Sequence, residues 1–220
     1  MIYTIGGIKG GSGKTTIATN LAVFLASKKR DVLLVDADDQ ESATDFTAFR
    51  NQALEGILDY TAVKITGSDL NGQVKRLSEK YDDIIIDVGG RDTVNQRSAL
   101  TVSHVALFPF AARSFDIWTL NKVNALLNEV LPFNPSLLSF TFINKADSRG
   151  NHKDDAAELL KSSDKLIFLD TPLGNRIAFG NAAAEGLGII ELRPLDEKAV
   201  SEFKELWKGI EKALKNKKQK

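Results

Sequence analysis

The sequence predicts an α/β fold, in which helices cover both faces of a doubly wound, mostly parallel sheet and so build three layers in the order α/β/α. Short apolar runs rich in β-branched residues alternate with longer segments of helical period along the 220 residues. The runs are apolar almost throughout, as strands that are buried on both faces should be. Because this length suits one large domain, we expect residues 1–220 to form a single domain.

The individual elements follow from these two patterns. Six runs predict strands, namely "MIYTIGG", "DVLLVDAD", "YDDIIIDVGG", "HVALFPF", "LLSFTFINK" and "KLIFLDT". The segments between them predict helices at about 14–29, 42–54, 69–80, 115–131, 152–162 and 195–216. Ligands of such sheets bind beyond the carboxyl ends of the strands, so the acidic residues that close several runs should meet at one site.

The composition excludes several classes of protein. Basic and acidic residues are equal at 29 each, so any affinity for nucleic acid or an anionic membrane must come from local clustering. The sequence has no cysteine, which excludes disulfides, a thiol nucleophile and cysteine-ligated metals. The first strand leads directly into a glycine-rich loop, leaving no room for a cleavable signal, and no apolar run reaches spanning length. We therefore expect a cytoplasmic protein.

The segment "KGGSGKTT", residues 9–16, is predicted to bind phosphate. It lies between a strand and a helix, so its glycines let backbone N–H groups converge on an oxyanion at the positive end of that helix. The general pattern G-x-x-x-x-G-K-T would place glycine at position 8, which is Ile8. The loop is therefore a variant with an additional lysine. Its predicted nucleotide-binding residues are Lys9, Gly10, Gly11, Ser12, Gly13, Lys14, Thr15 and Thr16.

This loop resembles the deviant Walker A motif of the ParA/MinD ATPases, and most closely that of the short ParA-type DNA partition ATPases. "VLLVDADDQ" resembles the second acidic motif of that family, and "YDDIIIDVGG" resembles its Walker B strand. Later segments, "VALFPFAARSFDIWTLNKV", "RIAFGNAAAEGLGIIEL" and "AVSEFKELWKGI", resemble its remaining parts. The resemblance covers nearly the full chain and implies the fold of a phosphate-loop nucleoside triphosphatase.

The resemblance also implies a role for several residues. Lys14 would bind the β- and γ-phosphates of ATP, and Asp38 would orient or activate the attacking water. Lys9 would reach across the interface of a homodimer to the phosphates of the partner subunit. Together these three form the predicted catalytic set. Thr15, Asp36 and Asp87 would hold Mg²⁺ or its waters, and Asn144 would meet the adenine.

Two positions depart from the family pattern. The proline that usually follows the catalytic aspartate is Asp39, whose charge could slow hydrolysis, and the usual Pro-Pro after Walker B is Gly89 and Gly90. The glycines should loosen a switch segment. Arg91 follows them, either as a sensor of nucleotide or partner or as an exposed loop residue.

A GTPase is a rival interpretation. "DVGG" fits the Asp-x-x-Gly motif of GTPases, and "NKAD" at 144–147 fits their guanine motif. Both patterns are short, whereas Lys9 and "DADDQ" are typical of the ATPase branch, so we favour ATP.

The C-terminal segment predicts an amphipathic helix. Its apolar stripe could be a membrane anchor, but we favour a closing helix packed on the core, with lysines on its exposed face. The stripe consists of Phe203, Leu206, Trp207, Ile210 and Leu214. ParA-like proteins use such a helix in non-specific DNA binding, which makes Arg176, Lys204 and Lys208 the candidate DNA contacts. A solvated lysine-rich helix without a ligand is the simpler alternative.

The resemblance thus implies an ATP hydrolase that dimerises with ATP, binds DNA non-specifically and dissociates on hydrolysis. Its expected role is to position plasmid or chromosomal DNA at the nucleoid, together with a ParB-like centromere-binding or adaptor protein that stimulates slow hydrolysis. The alternatives are ParA-like positioning of a protein cargo, a MinD-like membrane regulator of division and a GTPase switch.

Overall fold

The computed structural model of the chain describes residues 1–91, 93–111, 117–147 and 152–218. Its strands are β1 (Ile2–Ile5), β2 (Val32–Ala37), β3 (Thr61–Lys64), β4 (Asp83–Val88), β5 (Val105–Ala111), β6 (Leu138–Asn144) and β7 (Ile167–Phe168). Its helices are α1 (Lys14–Ala26), α2 (Ser42–Ala53), α3 (Leu70–Leu77), α4 (Val94–Val102), α5 (Ile117–Val130), α6 (His152–Lys161), α7 (Ile177–Ala184) and α8 (Glu197–Lys218). The predicted helix start at residue 115 lies outside the described residues.

The described strands form one parallel sheet in the order β3-β2-β4-β1-β5-β6-β7. The predicted fold class is therefore confirmed. The central strand β1 lies between β4 and β5, so the loop that follows it opens at the middle of the carboxyl edge. Asp36 of β2 and Asp87 of β4 are partners in the strand register, so two of the acidic residues that close apolar runs do lie side by side.

Helices α1 and α8 pack on the same face of the sheet. The ring centroids of Phe24 on α1 and Phe203 on α8 are 5.7 Å apart, and the Trp207 ring lies 6.1 Å from that of Tyr3 in β1. The predicted apolar stripe of α8 is thus part of the core, where Trp207 is only 4% exposed. Within the described residues, no helix is both long and apolar enough to cross a membrane.

One buried cation that the sequence does not reveal joins α2 to the segment after α7. The guanidinium of Arg50 donates twice to Asp59, at 2.9 and 3.0 Å, and twice to Glu191, at 2.7 and 2.9 Å. It also donates to the Gly186 carbonyl at 3.1 Å. Arg50 is fully buried, so these bonds replace its entire hydration. They fix the C-terminal half of α2 against the rest of the fold.

Replacing Arg50 with methionine should lower the free energy of unfolding by about 2–3 kcal/mol. Breaking a fully buried ion pair costs about 3–5 kcal/mol, because one charge remains buried without a partner. The side chains of Asp59 and Glu191 are 35% and 29% exposed, so water would stabilise part of their charge and reduce the loss. Urea denaturation measures this loss in the free energy of unfolding. The control Arg76→Met removes an arginine that is 71% exposed and should change stability by less than about 0.5 kcal/mol; equal midpoints for both variants would contradict the argument.

Candidate nucleotide-binding site

The predicted phosphate loop connects β1 to α1. Gly11 and Gly13 have φ angles of 78° and 90°, in the left-handed region that glycine adopts without a steric penalty. Gly13 precedes α1, and its carbonyl accepts a hydrogen bond from the Ile17 N–H at 3.0 Å. The N–H groups of the first turn therefore point toward the loop, in the arrangement that binds phosphate at helix N-termini.

The two lysines of the loop have different surroundings. Lys14 is 6% exposed, and its ammonium donates to the Lys9 carbonyl at 3.0 Å. Burial lowers the pKa of Lys14 below its usual value, and the nearby carboxylates of Asp87 and Asp38 partly offset this effect. The side chain of Lys9 is exposed instead. Lys14 is thus buried at the phosphate loop, whereas Lys9 is accessible to solvent.

Asp36 is held by hydrogen bonds to the protein. One of its carboxylate oxygens accepts from both the backbone N–H and the hydroxyl of Thr44, each at 2.8 Å, and the other accepts from the Asp38 N–H at 3.1 Å. These bonds tie the end of β2 to the first turn of α2. Asp36 therefore fixes the loop that carries Asp38, whether or not it also holds a water of Mg²⁺.

Asp87 is fully buried, and neither of its carboxylate oxygens has a hydrogen-bond partner of good geometry among the described residues. Burial raises the pKa of Asp87 to about 7. The Thr15 hydroxyl and Lys14 act in the opposite direction, and the charges of Asp36 and Asp38 raise the pKa further. A buried carboxylate without full compensation is an available ligand for a cation.

The donor set fits magnesium together with a nucleotide. The described residues contain no group of three or more His, Cys, Asp or Glu side chains that could hold a metal without further ligands. Mg²⁺ commonly takes only one or two protein ligands and completes its coordination with phosphate oxygens and waters. The Thr15 hydroxyl and Asp87 supply such a pair at the foot of the phosphate loop, where a bound magnesium would neutralise phosphate charge.

Asp38 lies at the edge of a cleft of about 760 Å³ over the phosphate loop. It is half-buried, and one of its carboxylate oxygens accepts from the Gln40 N–H at 3.1 Å. Asp39 and Arg91 are exposed and line the same cleft. Asp38 is therefore held beside the position of the phosphates, as a group that orients water must be.

The glycine pair after β4 allows a close approach between two loops. A methyl group on Gly89 would lie 3.0 Å from the Asp38 carboxylate, and one on Gly90 would lie 2.7 Å from the Gly10 nitrogen. The loosened segment that the sequence predicts is thus packed directly on the phosphate loop. A side chain at Gly90 would separate the two loops, and one at Gly89 would displace the Asp38 carboxylate, which gives the glycine pair a steric reason.

Replacing Gly90 with alanine should weaken ATP binding about tenfold and lower stability by about 1–3 kcal/mol, the usual cost of inserting a methyl group into a packed contact. The new methyl group would meet only backbone, at Gly10 and Lys9, so the phosphate loop itself must move. Calorimetric titration with ATP and thermal unfolding measure the two effects. The control is Gly209→Ala, within α8. Its added methyl group would lie 3.6 Å or more from the nearest atoms, which belong to Leu169 and Thr171, and should stabilise the helix slightly. Equal ATP affinity of both variants would exclude the clash.

Asn144 closes the site at the end of β6. Its side-chain amide donates to the Ser12 carbonyl at 2.7 Å, and a methyl group on Gly13 would lie only 2.3 Å from the amide nitrogen. The amide also lines a second cavity of about 330 Å³, whose walls include Asn175 and Phe179, beside the phosphate loop. This cavity is large enough for a purine. The structure thus brings Asn144 to the phosphate loop, and the predicted contact with adenine stays a prediction.

The candidate DNA contacts have unequal surroundings: Arg176 lines the 330 Å³ cavity beside Asn144, whereas Lys204 and Lys208 lie on α8. Arg176 donates twice to Glu202, at 2.7 and 2.9 Å, so its guanidinium is already paired. Lys208 forms an exposed pair with Glu205 at 2.9 Å, whereas Lys204 is exposed and has no ion pair within the described part of the chain. A phosphate would have to displace Glu202 to contact Arg176, which leaves the two lysines as the more accessible candidates.

Sequence reasoning does not find three of the residues that shape the phosphate loop. Gln96 of α4 is fully buried and accepts from the Gly7 N–H at 2.9 Å. Lys145 donates to the Gly11 carbonyl at 2.8 Å. Gly90 contacts the loop as described above. Each acts through a contact between segments far apart in the sequence. The motif "NKAD" pointed to guanine and the Gly89–Gly90 pair pointed to flexibility, so neither signal indicated a contact with the phosphate loop.

Inward N–H groups, a buried lysine and a buried carboxylate at the centre of a parallel sheet suit one kind of ligand, a nucleotide bound by its phosphates. The chain is therefore a nucleotide-binding protein of the phosphate-loop class. Residues 3–189 match CbiA, the CobQ/CobB/MinD/ParA nucleotide binding domain. The chain belongs to this family, as the resemblance to the ParA/MinD ATPases predicts.

Similar proteins extend over most of the chain. Maintenance of carboxysome distribution protein A of Halothiobacillus neapolitanus is 23% identical over 206 residues, which are 92% of each protein. Chromosome partitioning protein ParA of Myxococcus xanthus is 25% identical, over 86% of this chain and 80% of that protein. A structure of a plasmid partition protein from Borrelia burgdorferi bound to AMPPNP has a TM-score of 0.74 at 24% identity, with coverage of 96% and 98%. The protein is thus a ParA/MinD-type ATPase by family.

Proposed function

We propose that the protein is an ATPase of the ParA type that dimerises with ATP, binds DNA non-specifically and positions plasmid or chromosomal DNA. The observation that carries the proposal is the contrast between its two loop lysines. Lys14 is buried against its own loop, whereas Lys9 is exposed and lines a cavity of about 310 Å³ on the outer side of that loop. A lysine that faces outward beside a phosphate site can complete the site of a second subunit, which couples dimerisation to the bound nucleotide.

Hydrolysis in this proposal depends mainly on positioning and charge. The Lys14 ammonium leaves the Lys9 carbonyl and binds the β- and γ-phosphates, where low solvent exposure strengthens the attraction. Thr15 and Asp87 would hold Mg²⁺, which would neutralise phosphate charge, and Asp36 holds the loop in place. Asp38 orients the water that adds to the γ-phosphorus. Lys9 from the partner subunit adds a positive charge while the bond from the γ-phosphorus to the bridging oxygen breaks and ADP leaves.

DNA binding is proposed for the exposed face of α8. Lys198, Lys204, Lys208, Lys212 and Lys215 are all exposed, while the apolar stripe of the same helix is buried in the core. Each lysine alone would bind a DNA phosphate weakly, but an ATP-bound dimer presents two such faces. Counterion release makes several phosphate contacts strong at low salt. Loss of the dimer after hydrolysis would release the DNA, so the nucleotide would time both association at the nucleoid and release.

The test is the salt dependence of DNA retention in the presence of ATP. Each lost phosphate contact makes the negative slope of log K against log salt shallower by about 0.9, so Lys204→Glu with Lys208→Glu should reduce its magnitude by about 3.6 for the four contacts of a dimer. The matched control carries Lys75→Glu and Lys80→Glu, which lie on α3 and the turn after it and are exposed as well. Equal retention with ADP, or a slope that the first pair leaves unchanged, would refute the DNA proposal.

Positioning of a protein cargo is the second candidate function. It is favoured by the similarity to a carboxysome distribution protein, which extends over 92% of both chains. The two functions share the proposed ATP cycle and differ in the partner that stimulates hydrolysis. Adding the product of a neighbouring reading frame to the ATPase assay separates them, since a ParB-like protein should stimulate only with its DNA site and a cargo adaptor should stimulate without it.

A membrane role would need the apolar stripe of α8 to leave the core. Trp207 packs against Phe24 of α1, with ring centroids 6.0 Å apart, and against Tyr3 of the central strand. Undocking the helix would expose these rings to water. We therefore expect no co-sedimentation with anionic liposomes in the presence of ATP, and co-sedimentation that Trp207→Ala abolishes would favour the MinD-like alternative.

A further inference from the structure

Lys145 has a backbone conformation that needs support from its surroundings. Its φ angle is 53°, in the left-handed region that non-glycine residues adopt only at a cost of about 1–2 kcal/mol. The flanking backbone is fixed on both sides. Asn144 belongs to β6, where its partner in the register is Ala111, and the Ala146 N–H donates to the Leu173 carbonyl at 2.8 Å. The turn at Lys145 is thus enforced, and it directs the side chain over the phosphate loop.

Two consecutive residues bind two consecutive carbonyls of the phosphate loop. The Lys145 ammonium donates to the Gly11 carbonyl at 2.8 Å, and the Asn144 amide donates to the Ser12 carbonyl at 2.7 Å. In a planar trans peptide the C=O and the following N–H point in opposite directions. Holding the Gly11 carbonyl therefore directs the Ser12 N–H away from Lys145, and holding the Ser12 carbonyl does the same for the Gly13 N–H. Both N–H groups are donors of the predicted phosphate cradle.

The position of Lys145 suits a role shared by the whole site. Its side chain lines three cavities beside the phosphate loop, of about 310, 330 and 760 Å³. The smallest lies on the outer side of the loop beside Lys9, the second contains Asn144, and the largest is the cleft that contains Asp38. Since the ammonium is exposed, it carries its charge at little cost in desolvation, and the contact with Gly11 is available to organise the loop before a nucleotide arrives.

We propose that Lys145 is a positioning residue of the nucleotide site, which holds the Gly11 carbonyl and thereby aims the Ser12 N–H at the phosphates. The inference rests on the proposed nucleotide binding but is independent of DNA and of the partner protein. It also gives the "NKAD" motif a function without guanine, because its first two residues act on the phosphate loop whichever base is bound. The contribution of Lys145 should depend on the phosphates of the ligand.

The test compares Lys145→Met with Lys145→Arg in the full chain. Methionine keeps much of the side-chain volume and removes the donor, so affinity for ATP and ADP should fall about tenfold, the effect of one hydrogen bond from a charged group. Affinity for adenosine, which has no phosphate, should stay within about twofold. Arginine restores a charged donor and should recover most of the ATP affinity, whereas a purely steric role of the side chain would not separate the two variants in this way. Isothermal titration calorimetry measures all three ligands, and Lys75→Met is the matched surface control.

Three outcomes would overturn the proposal. They are unchanged ATP affinity in Lys145→Met, an equal loss of adenosine affinity, and a lower melting temperature that accounts for the binding loss. Competition between unlabelled ATP and GTP for the wild-type chain is a separate arm. A clear preference for GTP would refute the proposed ATPase function, yet Lys145→Met should then weaken GTP and not guanosine, so the two failures are distinguishable.

Discussion

Lys9→Ala is expected to bind ATP with nearly wild-type affinity and to lose both ATP-dependent dimerisation and about 10³-fold in turnover. A cation supplied by a second molecule to a phosphoryl-transfer site contributes 10³-fold or more, because it stabilises charge that develops only in the transition state. The Lys9 side chain is exposed, whereas its carbonyl accepts from Lys14. Alanine keeps that carbonyl, so Lys14 and the loop backbone should retain their geometry.

Single-turnover phosphate release and analytical ultracentrifugation measure the two losses. Lys75→Ala removes an exposed lysine of α3 and should leave turnover and dimerisation unchanged. Lys14→Ala provides the contrasting variant, since it should reduce ATP binding itself. Unchanged turnover in Lys9→Ala would remove Lys9 from the mechanism, and weakened ATP binding by the monomer would mean that it acts within its own subunit.

The sequence predicts six of the seven described strands, because each of the six is a continuous apolar run. Burial on both faces explains the runs of the five interior strands. The edge strand β7 is predicted from its run "KLIFLDT" although Ile167 is 44% exposed. The edge strand β3, "TAVK", has two exposed and two half-buried residues and no such run. Helices α4 and α7 are equally hard to predict, since each is short and lacks a clear apolar stripe. Tertiary contacts stabilise these elements, including the bond from Gly7 to Gln96 of α4.

The residues of the candidate site also fall into those that the sequence predicts and those that it does not. Residues within one motif, such as Lys14 and Thr15, are predictable because strand, loop and helix are contiguous in the sequence. Arg50, Gly90 and Lys145 act on segments that the chain brings together from a distance, and the reach of each depends on backbone geometry. A glycine pair predicts flexibility in isolation, yet here its missing side chains allow a contact with the phosphate loop. Such roles become visible only when the fold is known.

Asp87→Asn is expected to stabilise the nucleotide-free protein by about 1–3 kcal/mol, because it removes a buried charge that lacks full compensation. The same change should weaken the apparent affinity for Mg²⁺ in ATP hydrolysis by about 10–100-fold. Asparagine has the shape of aspartate but no charge, so it removes repulsion from Asp36 and Asp38 within the buried site. The Asp87 carboxylate thus lowers the stability of the empty protein and binds a cation when the nucleotide is present. Such a trade-off between stability and activity is expected of a functional site.

The matched control is Asp83→Asn, at the other end of the same strand. Asp83 is equally buried, but its carboxylate contacts the Arg30 guanidinium and lies 3.5 Å from the Met1 ammonium. Burial raises the pKa of Asp83 as well, but removing its charge leaves these two cations without their partner, so this variant should gain less stability than Asp87→Asn. Thermal unfolding without nucleotide and a magnesium titration of phosphate release measure the two properties. If both variants gained the same stability, burial alone would explain the effect; a larger gain for Asp87→Asn would mark the carboxyl end of β4 as the position reserved for a cation.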